Sequence, residues 1–198
     1  MRQLNINKKL QEIDFDIESI SLGDFDYIGE FTAKKNRNRN HDLFKSTGCF
    51  FRPNYERGIL IYALITKFKI ESFLEIGFGR GYSSMCAALA FKEAGIDGKV
   101  VTIDPGIDEQ HLKNLSNVFP KEWFDLITFI KQTSQVALPQ VKETFDLVLI
   151  DGDHTLDAVS SDWAGTKDKY NKFLIFDDYH LPTKKDHGGG IQCAKIID

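Results

Sequence analysis

From Phe73 onward the chain carries an acid at the close of four short apolar runs: Glu75, Asp104, Asp151, and Asp177 with Asp178. Carboxylates so placed can hold hydroxyl or amino groups, gather a hard cation, or take a proton. Asp151, Asp177 and Asp178 are candidates for the second task. Three carboxylates converging from adjacent strand ends repel one another unless a cation joins them, and all-oxygen ligation suits Mg²⁺, Mn²⁺ or Ca²⁺ over zinc. His154 and His180 lie near enough in sequence to raise a mixed histidine and carboxylate site, but hydrogen bonding to a ligand residue or contact with a substrate is the favoured role for both. The plainer reading of all these acids is that Asp favours loop starts and helix N-caps. For Asp104 alone that reading is preferred; four acids along one edge weigh against it.

A second constellation precedes these acids. Phe73-Leu74-Glu75-Ile76-Gly77-Phe78-Gly79-Arg80-Gly81 is an apolar run that closes on an acid and opens into three alternating glycines ahead of a helical pattern. Lacking Cβ atoms, such a turn can bring its backbone N–H groups against a nucleotide-like ligand at the helix start. Alone the pattern is weak, because short Gly-x-Gly runs also occur in turns that bind nothing. Asp104 follows Gly81 by 23 residues, near the spacing at which a carboxylate reaches the hydroxyls of a ribose held over the loop. That much fits a nicotinamide dinucleotide equally well. Two details favour another cofactor. The spacing is Gly-x-Gly-x-Gly, without the dinucleotide Gly-x-Gly-x-x-Gly. Glu75 would also face a pyrophosphate unfavourably, whereas it suits the amino group and sulfonium of S-adenosylmethionine.

These residues need a frame, and the apolar pattern supplies one. Short β-rich runs fall at Phe73 to Ile76, Lys99 to Ile103, Leu126 to Ile130, Phe145 to Ile150 and Phe173 to Phe176, separated by helix-like stretches at Tyr82 to Ala94, Glu109 to Val118, Ser134 to Glu143 and Thr155 to Tyr170. Near-continuous apolar strands alternating with helices predict an α/β fold with a mostly parallel sheet covered on both faces. Right-handed crossovers make a doubly wound, Rossmann-like sheet the favoured arrangement, and such sheets bind ligands beyond the carboxyl ends of their strands. Arg52 to Ile65, with Pro53 near its start, reads as a helix leading into the first strand. Residues 1–51 form an extension or lid: Asp14 to Ile17 and Phe25 to Ile28 fit a short hairpin or loose helices, and Lys34 to His41 a basic, solvated or lid-forming loop.

The 198 residues, 42% of them hydrophobic, can bury one sizeable core, most simply a single domain with an extension. A formal charge of -4 gives no basic field for nucleic acid, so a small ligand is the better default. Cys49, Cys86 and Cys193 form no CxxC pair and suit a reducing cytoplasm. No uncharged apolar run approaches the roughly 20 residues of a membrane span, and the first residues lack the apolar core of a secretion signal. The expectation is a soluble, cytoplasmic protein with no membrane partner.

Glu75-Ile-Gly-Phe-Gly-Arg-Gly, the Val101 to Asp104 strand end, the segment Phe145 to His154 ending Ile-Asp-Gly-Asp-His, and Phe176-Asp-Asp-Tyr-His resemble class I S-adenosylmethionine-dependent methyltransferases. Within that class the match is closest to the small-molecule O-methyltransferases of the macrocin type, distantly similar to catechol O-methyltransferase, and it spans about Arg52 to Asp198. The resemblance implies that Gly77, Phe78, Gly79 and Gly81, with Tyr82 at the head of the next helix, hold the methionine and ribose portion, with Glu75 near the amino group. It gives Asp104 the ribose hydroxyls and sets Gln132, Thr133 and Ser134 beside the adenine; Ser134 reads equally as a helix N-cap. Asp151, Asp177 and Asp178 match the positions that hold magnesium. Asp153 matches the catalytic base, against a plainer role in capping the helix near Thr155, with His154 beside it in the catalytic segment. Tyr82, Met85, Cys86, Leu89 and Phe91 also read as packing residues of their helix.

The family's sheet has seven strands, the last two an antiparallel hairpin, and only five are recognisable here. The sequence therefore predicts a domain over 52–198 that is either truncated before that hairpin or has its edge covered by N-terminal residues or by a second copy of the chain. The glycine triplet Gly188 to Gly190 reads as a loop rather than a phosphate cradle. The favoured function is a metal-assisted O-methyltransferase acting on a small-molecule hydroxyl. The competing readings are an inactive module that binds the cofactor and a nicotinamide-dependent oxidoreductase.

Overall fold

A computed structural model describes residues 55–117 and 119–177. The expectations placed on residues 1–54 and 178–198 lie outside the described residues; they include the N-terminal lid, Pro53, Asp178, His180, the glycine triplet and the missing hairpin. The chain divides into two compact units, one holding Arg80–Asp97 and Asp108–Leu126 with the helix before the first strand, the other Glu71–Gly79, Gly98–Ile107 and the chain from Ile127.

The second unit is the sheet. Strands β1 (Ser72–Ile76), β2 (Lys99–Ile103), β3 (Ile127–Ile130), β4 (Phe145–Ile150) and β5 (Tyr170–Phe176) pair in the order β3-β2-β1-β4-β5, every pairing parallel. The α/β class and the doubly wound, Rossmann-like order are as the sequence predicts. In register, Leu74 lies between Val101 and Val148, and Ile76 between Ile103 and Ile150. These residues form one core layer with Ala137 and Leu138, capped by Leu174 and Phe176. Phe73, Val100, Leu147 and Leu149 point to the opposite face and are buried too, which is why these strands read as unbroken apolar runs.

Two helices belong to this unit, α5 (Ser134–Ala137) and α6 (Leu156–Thr166). The sequence pattern extends α5 to Glu143, but Pro139 has no backbone N–H to carry the helical ladder forward, and α5 ends with Leu138 as its C-cap. The pattern carries α6 to Tyr170; instead Thr166 Oγ1 turns back onto the Asp162 carbonyl at 2.6 Å, and Tyr170 pairs with Phe145 as the start of β5. Sheet pairing outweighs the local helical preference there.

The first unit is helical: α1 (Tyr55–Phe68), α2 (Tyr82–Glu93), α3 (Glu109–Ser116) and α4 (Lys121–Phe124), the last not expected from the sequence. All positions of α2 from Tyr82 to Phe91 are buried. A Cβ on Gly58 would lie 2.6 Å from Tyr82 Oη and 3.0 Å from Cys86 Sγ, so glycine lets α1 cross α2 at close range. Asp108 caps α3, its carboxylate accepting the Gln110 N–H at 3.0 Å.

Candidate active site

The turn after β1 begins at Gly77, whose N–H donates to the Ile103 carbonyl at 2.9 Å. Its φ is +94°, and any Cβ there would fall inside the van der Waals envelope of the Asp151 carbonyl oxygen. Only glycine permits that approach. It brings the backbone of the glycine turn against the end of β4, so two of the constellations singled out in the sequence meet. Phe78 is buried, and its ring meets Phe129 of β3 edge-to-face at 5.4 Å. The side chain therefore anchors the turn by packing, while its backbone remains part of the loop.

Asp104, just past β2, holds the loop from the other side. Its Oδ2 accepts the Gly79 N–H at 2.9 Å and its Oδ1 the Gly106 N–H at 2.6 Å. Each carboxylate oxygen has a second lone pair, so a pair of ribose hydroxyls can be added without displacing either bond. Asp104 is thus both a brace for the turn and a half-buried acceptor at the sheet's carboxyl edge. Glu75 is almost fully buried, and Thr102 Oγ1 donates to its Oε2 at 3.1 Å. That bond fixes the carboxylate across the β1–β2 pair, two residues before the turn begins at Gly77.

Asp151 and Asp177 follow neighbouring strands. The Asp151 N–H donates to the Ile76 carbonyl at 2.8 Å and the Asp177 N–H to the Ile150 carbonyl at 3.0 Å, so each continues the ladder by one step beyond its strand. Two carboxylate residues on adjacent strand ends are an all-oxygen donor set, which fits a hard divalent cation that keeps several waters. Asp178 is outside the described residues, and among the described residues no three His, Cys, Asp or Glu side chains gather as a ready-made cage.

Asp153 is exposed, and its Oδ1 accepts the Thr155 N–H at 3.1 Å. The cap of α6 is Thr155 itself, whose Oγ1 accepts the Ala158 N–H at 3.3 Å. Asp153 therefore braces the turn ahead of the helix without serving as its N-cap. His154 beside it is partly buried. Gln132 and Thr133 are exposed on the way into α5, with the Gln132 N–H on the Ile130 carbonyl at 2.9 Å. Ser134 is not the cap of α5, a position taken by Thr133 without a side-chain bond. It is buried.

Asp162 is a buried acid that the sequence pattern did not single out. It lies on the inward stripe of α6 with Ala158, Val159 and Thr166, and an acid at that spacing was the available signal. Burial pushes its carboxyl above the usual range, Ser134 opposes the rise, and the charge of Asp153 adds to it.

In the helical unit, Gly81 caps α2 with φ +88° and Tyr82 is buried. His111 of α3, also unforeseen, places Nε2 3.2 Å from the Arg80 carbonyl, which can only accept, so Nε2 carries the hydrogen. Burial is the main reason its pKa lies below the usual histidine value, consistent with a neutral ring.

A methyltransferase domain family matches residues 74–179, more than half of the chain and the whole of this edge. The chain belongs to that family. The enzyme class expected from the sequence is thereby borne out. Among curated proteins none matches the chain. Solved structures resemble this methyltransferase in fold. The O-methyltransferase TomG from Streptomyces achromogenes, involved in tomaymycin synthesis and solved with SAM, is 17% identical with a TM-score of 0.61, over 86% of this chain and 75% of that one. The Bacillus cereus O-methyltransferase in complex with SAH is 16% identical with a TM-score of 0.58, over 86% of each chain. SAH-bound PaMTH1 from Podospora anserina is 16% identical with a TM-score of 0.54, over 83% of this chain and 73% of that one. No helix among the described residues is long and apolar enough to cross a membrane.

Proposed function

We propose that this methyltransferase takes its methyl group from S-adenosylmethionine and delivers it to a hydroxyl oxygen of a small molecule, with magnesium, or manganese or calcium, at the acidic edge, in the manner of the macrocin-type and catechol-type enzymes. The observation that carries the reading is the meeting of Gly77 with the Asp151 backbone, which brings the turn braced by Asp104 against the residue that follows β4. The cofactor-bound O-methyltransferases of like fold support the donor and the acceptor class.

When bound, the sulfonium supplies an electrophilic methyl carbon and the cation lowers the pKa of the acceptor hydroxyl. The chain's own residues do the rest. Gly77 to Gly81 and Asp104 hold the donor, Asp151 and Asp177 with Asp178 hold the cation, and Asp153 takes the acceptor proton. Thr155 fixes one oxygen of Asp153 through its N–H, which leaves the other to receive the proton.

Calorimetry with S-adenosylhomocysteine and with NAD, each with and without Mg²⁺, tests the reading. Homocysteine-cofactor binding alone is expected, and binding of NAD alone would falsify it. Metal dependence is read from methyl transfer to catechol and sugar hydroxyls with Mg²⁺ present or chelated. Asp153→Asn should leave cofactor affinity nearly intact and slow turnover by on the order of 10²-fold; an unchanged rate removes Asp153 from the role.

A further inference from the structure

Strands in register set their paired side chains next to one another on one face of the sheet. One such row crosses all the strands as Phe129, Thr102, Glu75, Leu149 and Ile175. Its two polar members are neighbours, and the rest of the row is apolar. Thr102 is 0% exposed and Glu75 1%, so the pair lies inside the packed layer, where a carboxyl group is costly to hold. Thr102 Oγ1 donates to Glu75 Oε2 at 3.1 Å. The row ends at Phe129, the ring that Phe78 of the glycine turn meets edge-to-face at 5.4 Å. Glu75 therefore belongs to the sheet face on which that turn rests.

Shape alone asks for a β-branched residue at position 102. Valine would satisfy it, and β2 already uses Val100 and Val101. What threonine adds is the hydroxyl. The terminal torsion of a glutamate is broad when left to itself, and a bond from a neighbouring strand narrows it to one setting. Such a bond matters most where the carboxyl group has to meet a ligand in a fixed orientation.

We propose that Thr102 is a positioning residue for the methyl donor, holding the Glu75 carboxyl group in the orientation that receives the amino group of the cofactor's methionine portion. The inference rests on the proposed function, which sets S-adenosylmethionine over the glycine turn. A carboxylate ahead of that turn is the charge complement of an amino group. Because Thr102 works through Glu75, its influence falls on that one group of the ligand. A residue that served only the sheet would alter the binding of every ligand alike, or of none.

Calorimetry on the full chain with two ligands tests this: S-adenosylhomocysteine, and its analogue with hydrogen in place of the amino group. Thr102→Val keeps the shape and removes the hydroxyl. It should weaken S-adenosylhomocysteine about tenfold, the scale of a lost bond to a charged group, and leave the analogue within about twofold. Thr102→Ser restores the hydroxyl and should return S-adenosylhomocysteine to within about threefold of native. In a Glu75→Gln background, Thr102→Val should cost less than about threefold, because the two changes act on one interaction. If Thr102→Val does not fold, Thr102→Ala carries the same comparison. Equal losses for both ligands, or no loss for either, would reduce Thr102 to a structural role and overturn the proposal. A native chain that binds both ligands equally well overturns it too, while the donor reading survives. A native chain that binds neither ligand brings down the donor reading, and this inference with it.

Discussion

Asp146 and Asp151 stand five residues apart at opposite ends of the β4 segment, and their surroundings differ as the two edges of the sheet differ. At the amino edge, Asp146 Oδ2 accepts the Glu71 N–H at 3.0 Å and the Lys172 ammonium at 3.1 Å, while the Asp146 N–H goes to Ser72 Oγ at 3.0 Å. Burial would push its carboxyl up, but the Glu71 N–H and Lys172 outweigh it and hold the group below the usual carboxylate range. Lys99 and Glu143 add an ion pair on that side, with Lys99 also over the Phe145 ring. At the carboxyl edge, the bonds to Asp104 and Asp153 come from backbone N–H groups of glycine-bearing or cap turns. An acid bound by a lysine of its own chain closes the fold. An acid that braces a turn through N–H donors keeps lone pairs for a ligand.

The sharpest way to break this contrast is at Gly77. Gly77→Ala forces a Cβ into the Asp151 carbonyl at a φ of +94°, and should cost on the order of 3 kcal/mol or more of stability. Gly79→Ala meets nothing within 4 Å at a φ of +52°, so it should cost only the backbone strain of about 1–2 kcal/mol. Urea midpoints of the two variants compare them directly. Equal losses would mean that the turn does not press on β4 and that the two constellations are not rigidly joined.

Next in size is the removal of one acid from each edge. Asp104→Ala frees the N–H groups of Gly79 and Gly106 and should weaken S-adenosylhomocysteine binding about tenfold or more, as expected for lost bonds to a charged acceptor. Asp146→Ala should lower the melting temperature and leave that affinity within about twofold, since a site remote from the ligand adds independently. Equal effects on affinity would dissolve the distinction between the edges.

Much of this contrast is legible in the sequence, and the reason is periodicity. Strands buried on both faces print themselves as apolar runs, so the pattern alone puts the residues just beyond them, Asp104, Asp151 and Asp177, at the carboxyl edge, where the fold has them. The same logic fails at helix ends. Pro139 truncates α5 and Phe145 recruits Tyr170 into β5, and both outcomes depend on competition that a local pattern does not weigh. Side-chain direction is harder still. Phe78 stands among the loop glycines yet packs on Phe129, and Ser134 is buried while Thr133 takes the cap position of α5. A buried acid leaves its trace only in its spacing, here Asp162 on the inner stripe of α6.

The smallest effect is also the one that reads the two environments most directly, through the pH dependence of stability. For Asp146 the folded state binds fewer protons than the unfolded chain across the carboxylate range, so its stabilisation is complete above that range and is lost as pH falls through it. Asp162 has the opposite sign. Its carboxyl is raised by burial first, against Ser134 and with the help of Asp153, so the folded state keeps a proton that the unfolded chain has released. That contribution is complete below the ordinary carboxylate range and is lost as pH rises through the raised value. Melting temperatures measured in steps upward from pH 3 should then separate two conservative variants. Asp146→Asn should flatten the acid limb of the curve, while Asp162→Asn should gain on the native protein as pH rises above the carboxylate range. Parallel curves for Asp162→Asn and the native chain would show that the buried acid ionises as freely as a surface one, and the difference between the two edges would then be one of geometry without electrostatics.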